Sequence, residues 1–257
     1  MSIYQHFRKE EHAFIDQIIE WREQVAHEYT YKLLDFYDPR EIDIVQSIIG
    51  SKEDVKCAFW GGYDQAERKR AILYPEYYDV QNDDFDIVVF SINFPSKFVT
   101  LDHRKVLGST MGLGLKRSKF GDIIIDNEVA QIIVAGQVAD YVRLHFNQVG
   151  KTNITLEQIG CEKIIPLNEQ WHEHTCTVSS MRLDVILAEV FNLSRTKVLP
   201  YIQNQMVKVN WKVTDDPSFL CHQGDTLSMR TFGRCKIKSI EGQTKKEKWR
   251  IVVVKAK

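Results

Sequence analysis

The sequence contains no run of about 18 apolar residues, so no membrane-spanning helix is predicted. Its first residues, MSIYQHFRKEEH, are polar and charged, and they lack the apolar core of a secretory signal peptide. The five cysteines are scattered and form no CxxC pair, which argues against a zinc ribbon or a disulfide framework. Together these absences predict a protein of the reducing cytoplasm.

Signatures of catalysis and of cofactor binding are also missing. The segment LDHRKVLGSTMGLGLKRSKFGD, residues 101–122, has three glycines before a Lys-Arg pair, a composition that could cradle a phosphate. Dinucleotide and P-loop sites need a strand, then glycines, then a helix, whereas here the glycines follow a predicted helix. His103 has no paired nucleophile, so it is interpreted as a capping or packing residue. We therefore predict no catalytic residue and no cofactor.

One trio of side chains has the chemistry of a metal site. His172, His174 and Cys176 would share a face if their segment is a strand, but no fourth ligand lies nearby in the sequence. Zinc sites in proteins are usually closed by four ligands or by three ligands and a water. Because an exposed connecting strand explains these residues equally simply, no metal is predicted.

Charge is distributed unevenly along the chain, whose net charge is −1. Residues 179–257 carry 15 Lys and Arg against 7 Asp and Glu, a net charge of +8, and the remainder has a net charge of −9. A basic segment is typical of a surface that binds polyanions, and an acidic remainder discourages unspecific binding of nucleic acid. RNA is therefore expected to meet chiefly the C-terminal third.

Hydrophobic patterns predict an α+β protein in four parts. These are an N-terminal α/β domain (1–78), a central domain (79–160), a linker with some strand character (161–179) and a C-terminal domain (180–257). In the first part, apolar residues at helical spacing predict one or two helices over residues 6–36. Asp38, Pro39 and Glu41 have the order of a helix start, and that helix is expected to end at Gly50.

The central domain has the pattern strand, helix, strand, strand, helix, strand, which is the ferredoxin-like order of RRM domains. An RRM domain stacks RNA bases on aromatic residues of its sheet, including its third strand. Here that strand reads EVAQIIVAG and contains no aromatic residue. Any RNA contact of the central domain is therefore expected to use another surface.

The C-terminal domain begins with two predicted short helices. Arg182 lies at the start of the first helix, where a guanidinium beside helix N–H groups suits a phosphate. Ser194 is a natural N-cap for the second helix, and it leaves Arg195 and Lys197 near the positive end of that helix. The two helix starts are therefore candidate phosphate-binding positions.

A strand and a basic β-hairpin follow these helices. Lys208, Asn210 and Lys212 alternate with apolar residues, so the strand is expected to present two cations and an amide on one face. Arg234 and Lys236 alternate in the hairpin, which is expected to turn at Glu241-Gly242. Both segments predict basic strand faces that could contact an RNA backbone.

The order of these motifs resembles the S4 RNA-binding domain. Its RLD, SR, VxVN and GD motifs correspond to Arg182-Leu183-Asp184, Ser194-Arg195, Val207–Asn210 and Gly224-Asp225. The sequence departs from the family where S4 domains usually have glycine before the strand and Asn-Gly after it. Those positions hold Gln205-Met206 and Asn210-Trp211. The resemblance implies a docking surface for structured RNA that performs no chemistry.

The resemblance extends over most of the chain. The stretches FWGGYDQAERKRAILYP (59–75), PSKF (95–98) and LGSTMGLGLKRSKFGDI (107–123), with the S4 domain, are similar to the YlmH-type proteins of Gram-positive bacteria. Those proteins are encoded near cell-division genes. The resemblance implies a three-part, non-catalytic RNA-binding adaptor that docks on rRNA and tRNA of the large ribosomal subunit in translation quality control.

Two sets of residues are predicted to contact RNA. The main set is Arg182, Ser194, Arg195, Lys197, Lys208, Asn210, Lys212, Arg234 and Lys236. A second set forms either a secondary RNA contact or a plain surface turn, and it comprises Arg104, Lys105, Lys116, Arg117 and Lys119. The expected partners are structured RNA and the ribosome, with no membrane and no small-molecule substrate, and the protein is expected to be a monomer.

Two other classes of function remain as alternatives. S4 domains are often fused to RNA-modifying enzymes, so the chain could be a pseudouridine synthase, a methyltransferase or an accessory subunit of one. A pseudouridine synthase needs an aspartate in an RLD-type motif of its own, and the single RLD here belongs to the S4-like segment. A Rossmann-like methyltransferase needs a glycine-rich turn after its first strand, which is also missing. The third alternative is an interaction protein linked to cell division.

Overall fold

The structure, a computed structural model, describes residues 4, 7–50, 54–126, 128–165, 171–244 and 246–256. The chain forms two compact units, Met1–Leu167 and Asn168–Lys257, here called the N-terminal unit and the C-terminal unit. Within the described ranges, no helix has the length and apolar character needed to cross a membrane. The predicted N-terminal and central domains thus lie together in the N-terminal unit.

The first part of the N-terminal unit has two helices packed on a small antiparallel sheet. Its elements are α1 (His12–Glu28), β1 (Lys32–Tyr37), α2 (Pro39–Ile49), β2 (Val55–Trp60) and β3 (Lys69–Pro75). The strand order is β1-β3-β2, and apolar side chains of both helices pack against the sheet. The helix predicted over 6–36 is wrong at its end, because Tyr29 takes a left-handed conformation (φ 53°) that terminates α1.

The predicted start of α2 is confirmed. Asp38 Oδ1 accepts a hydrogen bond from the Glu41 backbone N at 3.0 Å, and the Glu41 carboxylate accepts one from the Asp38 backbone N at 2.7 Å. Pro39 is the first helical residue, and Gly50, with a φ of 69°, follows the last. These local contacts satisfy N–H groups that a helix start leaves without intrahelical partners.

The second part of the N-terminal unit is a four-stranded antiparallel sheet with two helices. Its elements are β4 (Ile87–Asn93), α3 (His103–Met111), β5 (Phe120–Asp126), β6 (Val129–Ala135), α4 (Gly136–His145), β7 (Gln148–Val149), β8 (Thr152–Asn153) and β9 (Thr155–Ile159). The strands β7 and β8 form a separate small hairpin. The main sheet has the order β5-β6-β4-β9, which is the arrangement of a ferredoxin-like fold.

The two faces of this four-stranded sheet are both buried. One face packs against α3 and α4 through residues such as Phe90, Ile132 and Val142. The opposite face packs against Phe36 of β1 and against Tyr63. At Gly121 in β5 an added Cβ would lie 2.9 Å from the Phe36 ring, so the two layers touch closely there. The face that an RRM domain offers to RNA is therefore covered by the chain itself.

A buried carboxylate joins the two parts of the N-terminal unit. Asp122 accepts hydrogen bonds from the Tyr63 hydroxyl at 2.8 Å and from the backbone N of Glu67 and Arg68 at 2.8 and 3.1 Å. The Arg68 guanidinium donates to the carbonyls of Phe36 and Phe120 at 2.8 and 3.1 Å. Burial raises the pKa of Asp122 above its ordinary value, and the three hydrogen bonds oppose this shift. Arg68, the first residue of the basic run Arg68-Lys69-Arg70, thus has a structural role.

The C-terminal unit is a six-stranded antiparallel sheet covered on one face by two helices. Its elements are β10 (Trp171–Val178), α5 (Leu183–Val190), α6 (Arg195–Gln203), β11 (Val207–Val209), β12 (Lys212–Val213), β13 (Thr226–Met229), β14 (Gly233–Gln243) and β15 (Trp249–Ala256). The strand order is β10-β15-β14-β13-β11-β12. Leu183, Ile186, Val198 and Ile202 of the helices pack against the sheet in one core.

Two sequence predictions fail in this unit. The segment 161–179 is more than a linker, because β10 pairs along its whole length with β15 and forms an edge of the sheet. The basic hairpin turns after Gln243 and not at Glu241-Gly242, since β14 continues to Gln243 before β15 begins at Trp249. In both cases the pairing between distant strands decides the outcome.

Candidate nucleic-acid interface

The two helix starts of the C-terminal unit meet at one buried carboxylate. Asp184 lies in the first turn of α5, and its side chain is 1% exposed. Arg182 Nε donates to Asp184 Oδ1 at 3.0 Å, and Arg195 Nε donates to Asp184 Oδ2 at 3.1 Å. The side chains of Arg182 and Arg195 are 39% and 57% exposed, so both cations remain accessible to a ligand.

This ion pair holds the two guanidinium groups in place before any ligand arrives. Burial acts to raise the pKa of Asp184, but the hydrogen bonds from Arg182 and Arg195 outweigh it and leave the pKa below its ordinary value. The carboxylate is therefore ionised at neutral pH. It neutralises one of the two positive charges, so the cluster keeps a net positive charge beside two helix N-termini.

The start of α6 adds a further cation and helix N–H groups. Ser194 is the N-cap residue, and its hydroxyl accepts a hydrogen bond from the Lys197 backbone N at 3.3 Å. Lys197 is exposed. The predicted positions of Ser194, Arg195 and Lys197 at a helix N-terminus are confirmed, whereas Arg182 is the N-cap residue of α5 and precedes its first turn. Such an arrangement suits a phosphate group.

The face of the sheet away from the helices carries a second group of cations. Lys208, Ser228 and Arg234 are direct cross-strand neighbours on β11, β13 and β14. Their sequence neighbours Val207, Leu227 and Cys235 are buried in the core. Because side chains alternate along a strand, Lys208 and Arg234 must project to the opposite, outer face. Lys236 is exposed and lies two positions beyond Arg234 on the same strand face.

The predicted continuous strand from Lys208 to Lys212 is wrong. Asn210 and Trp211 have φ values of 48° and 63°, and they form the two-residue turn between β11 and β12. The Asn210 side chain is turned toward its own chain: its Nδ2 donates to Asp225 Oδ1, and its Oδ1 accepts from the Thr226 backbone N, both at 2.8 Å. Asn210 therefore stabilises the turn and does not extend the cationic face.

The second predicted set of RNA-contacting residues is partly engaged in packing. Lys119 is paired with Asp35 of β1 at 2.5 Å. Arg117 donates to the carbonyls of Phe120 and Gly121 at 2.6 and 3.1 Å, and burial together with the neighbouring Arg68 lowers its pKa to about 10. Lys105 is paired with Asp102 at 3.0 Å. Arg104 and Lys116 are exposed, the first on α3 and the second in the loop between α3 and β5.

His172, His174 and Cys176, the trio considered and rejected as a metal site, do not form one. In the part of the chain that the structure describes, no three or more His, Cys, Asp or Glu residues are grouped to hold a metal ion. Cys176 of β10 is buried against the helices of the C-terminal unit, and His172 and His174 are exposed. The two-residue spacing of these side chains is therefore that of the strand β10.

Sequence reasoning missed the roles of Asp184 and Trp211. Asp184 stands two residues after Arg182 in the RLD motif, but its contact with Arg195 depends on how the two helices pack. Trp211 occupies the position where the S4 pattern has glycine, and the Arg234 guanidinium lies 5.4 Å from its ring centre. The departure from the usual Asn-Gly at this position was the feature of the sequence that could have pointed to a role for Trp211.

Comparison with protein families agrees with the architecture. Residues 10–78 match the family described as "YlmH, N-terminal", residues 80–163 match the "Putative RNA-binding domain in YlmH", and residues 181–227 match the "S4 domain". The S4 match includes both helix starts, Asp184 and the turn at Trp211. The family assignment thus extends over all three parts of the chain.

Comparison with individual proteins gives the same result. The chain is 48% identical over 256 residues to "Ribosome-associated protein quality control protein P2" of Bacillus subtilis (strain 168), covering 100% of this chain and 99% of the relative. It also resembles the solved structure of "Cell division protein ylmH from Streptococcus pneumoniae", with 32% identity and a TM-score of 0.54, covering 64% of this chain and 100% of that one. By these similarities, the chain belongs to the YlmH family of S4-domain proteins.

Proposed function

We propose that this protein is a non-catalytic adaptor that binds rRNA and tRNA on the large ribosomal subunit and acts in translation quality control. The observation that carries the proposal is the pair of exposed arginines held by Asp184 at two adjacent helix starts. Preorganised guanidinium groups beside helix N–H groups bind phosphate oxygens without first having to order themselves. The proposal includes that the protein acts in the cytoplasm and as a monomer.

The distribution of charge and of buried surface supports the same assignment. The net charge of +8 over residues 179–257 favours RNA binding by the C-terminal unit. In the N-terminal unit, the sheet face that an RRM domain would use is occupied by Phe36 and Tyr63. The exposed Arg104 and Lys116 are assigned at most a secondary contact, since their neighbours Lys105, Arg117 and Lys119 are held by the protein.

The ribosomal role is supported by the name of the Bacillus subtilis relative, which is 48% identical over nearly the whole chain. A role linked to cell division is the second candidate, favoured by the name of the Streptococcus pneumoniae structure. The basic helix starts and strand face give an RNA-binding role the stronger physical support, because a protein partner would not need a surface matched to phosphates. Both roles are compatible with one adaptor.

The RNA-binding proposal predicts a steep dependence of affinity on salt. Contacts to about four phosphates, each counting about 0.7–0.9, should give a slope of about −3 for log K against log salt concentration. Fluorescence anisotropy with labelled tRNA and with an rRNA fragment from the large subunit, between about 50 and 300 mM salt, measures this slope. A flat response, or no binding at the lowest salt concentration, contradicts the proposal.

The absence of catalysis is tested separately. Purified protein incubated with rRNA or tRNA should leave the nucleoside composition unchanged, because the proposed site consists of phosphate-binding cations with no paired nucleophile and base. Mass spectrometry of digested RNA, with and without the protein, provides the measurement. A pseudouridine or methyl mark that depends on the protein would show that it is an RNA-modifying enzyme.

A further inference from the structure

Trp211 adopts a backbone conformation that a bulky residue rarely takes. Its φ is 63°, and it is the second central residue of the tight turn between β11 and β12. Two-residue hairpin turns with positive φ at both positions strongly favour Asn-Gly, since glycine has no Cβ to clash. Asn210 satisfies the first preference and Trp211 violates the second. An unfavourable conformation of this kind persists only where its surroundings hold it.

The turn is held by hydrogen bonds on the Asn210 side. The Asn210 backbone N donates to the Thr226 carbonyl at 2.8 Å, and its side chain bonds to Thr226 and Asp225. Asp225 is fixed in turn, because its Oδ2 accepts from the His222 backbone N at 2.7 Å. The indole therefore projects from a turn whose backbone is held by these hydrogen bonds before any ligand binds.

The surroundings of Trp211 have the composition of a single-strand nucleic-acid site. The Arg234 guanidinium lies 5.4 Å from the indole ring centre, and Lys208 and Lys236 share the outer sheet face with Arg234. Trp211 and Arg234 are both partly exposed. Proteins that bind unpaired RNA combine an aromatic ring on which a base stacks with cations that follow the phosphate backbone. An arginine beside the ring can itself take part in the stack.

We propose that Trp211 is a stacking platform for an unpaired RNA base, with Arg234, Lys208 and Lys236 contacting the flanking phosphates. This inference rests on the proposed RNA-binding function and adds a second site to it. The arginines at the helix starts bind the backbone of structured RNA, and the outer sheet face reads a single-stranded extension of that RNA. The glycine of the S4 pattern is replaced by an aromatic residue because the turn contributes to binding.

The test uses the full chain and three labelled RNAs: a blunt hairpin, the same hairpin with a single-stranded tail of about six nucleotides, and one with an abasic tail. The abasic tail keeps the phosphates and removes only the bases. Wild-type protein should bind the normal tail at least about fivefold more tightly than the abasic tail. Trp211→Gly should remove that preference, and Trp211→Phe should keep most of it. All three proteins should bind the blunt hairpin equally.

Protein stability separates a binding defect from a folding defect. Glycine removes the strained conformation, so Trp211→Gly should unfold at the same temperature as the wild type or at a higher one. If wild-type protein binds no RNA, the proposed function fails and this inference fails with it. If wild-type protein binds the blunt hairpin but ignores the bases of the tail, or if Trp211→Gly keeps the preference, the stacking site is refuted and the RNA-binding function stands.

Discussion

Replacing Arg182 and Arg195 together with glutamine is expected to weaken the binding of structured RNA by at least about a hundredfold, because each charged hydrogen bond to a phosphate contributes about 1.5–3 kcal/mol. The salt slope should fall by about two units, one for each phosphate that the variant no longer neutralises. Both cations are accessible and both are aligned by Asp184, whereas Lys197 at the start of α6 has no contact with this carboxylate among the described ion pairs of Asp184. Anisotropy with the hairpin RNA measures both quantities.

The design of this variant follows from the buried carboxylate. A glutamate in place of Arg195 would put a second carboxylate against Asp184, and the resulting instability would imitate a loss of binding. Glutamine avoids this repulsion, but it leaves the buried Asp184 carboxylate without its two cationic partners. Asp184→Asn is therefore combined with the two glutamine substitutions, so that no unpaired charge is left buried. The net charge changes by one unit in this triple variant.

A control variant makes matched changes of charge away from the proposed interface. Arg143 is paired with Asp140 at 2.9 Å and Lys56 with Glu76 at 2.8 Å, all on the surface of the N-terminal unit. Arg143→Gln, Lys56→Gln and Asp140→Asn remove the same number of positive and negative charges as the triple variant. This control should bind RNA like the wild type. Equal loss in both variants would mean that total charge governs binding, and the assigned interface would be wrong.

The local motifs of the C-terminal unit could be predicted from sequence because their causes are local. Ser194 caps α6 through a contact three residues away, and the cations at the two helix starts follow from that boundary. The shared use of Asp184 by two arginines could not be predicted, since Arg195 reaches it only when α5 and α6 pack together. Sequence reasoning thus located the cations and missed the group that positions them.

Errors in the strands have a related origin. The alternation of Lys208, Asn210 and Lys212 has the period of a strand, and a continuous strand would place both lysines on one face. The two-residue turn pairs Lys208 with Val213 and Val209 with Lys212, so the two lysines lie on opposite faces of the sheet. An Asn-Gly pair would have predicted a two-residue turn at this point. Asn210 is present, but Trp211 stands in place of the glycine, so the turn was not recognised. The strand β10 is predicted only as a linker with some strand character, because its pairing partner, β15, lies about eighty positions later in the sequence. Long-range pairing leaves little trace in a local pattern.

Replacing Arg70 with methionine is expected to lower the free energy of unfolding of the N-terminal unit by about 2–6 kcal/mol, since two buried carbonyls, those of Leu34 and Phe85, lose this donor, at a cost of about 1–3 kcal/mol each. Arg70 is 2% exposed, and its guanidinium donates to the carbonyls of Leu34, Phe85 and Asp86, each at 2.9 Å. Burial lowers its pKa below the ordinary value, and Asp86 opposes the shift. The side chain thereby joins β1 to the start of β4.

This loss should be specific to the buried site and should not follow from removing any arginine. Arg143→Met is the matched control, since Arg143 is 54% exposed and its ion pair with Asp140 is worth at most about 1 kcal/mol. Urea unfolding followed by circular dichroism compares the two variants with the wild type. A shared midpoint for Arg70→Met and Arg143→Met would contradict the assigned role. The expected difference arises because methionine fills the volume of the arginine stem but offers no donor to the three carbonyls that hold the two layers together.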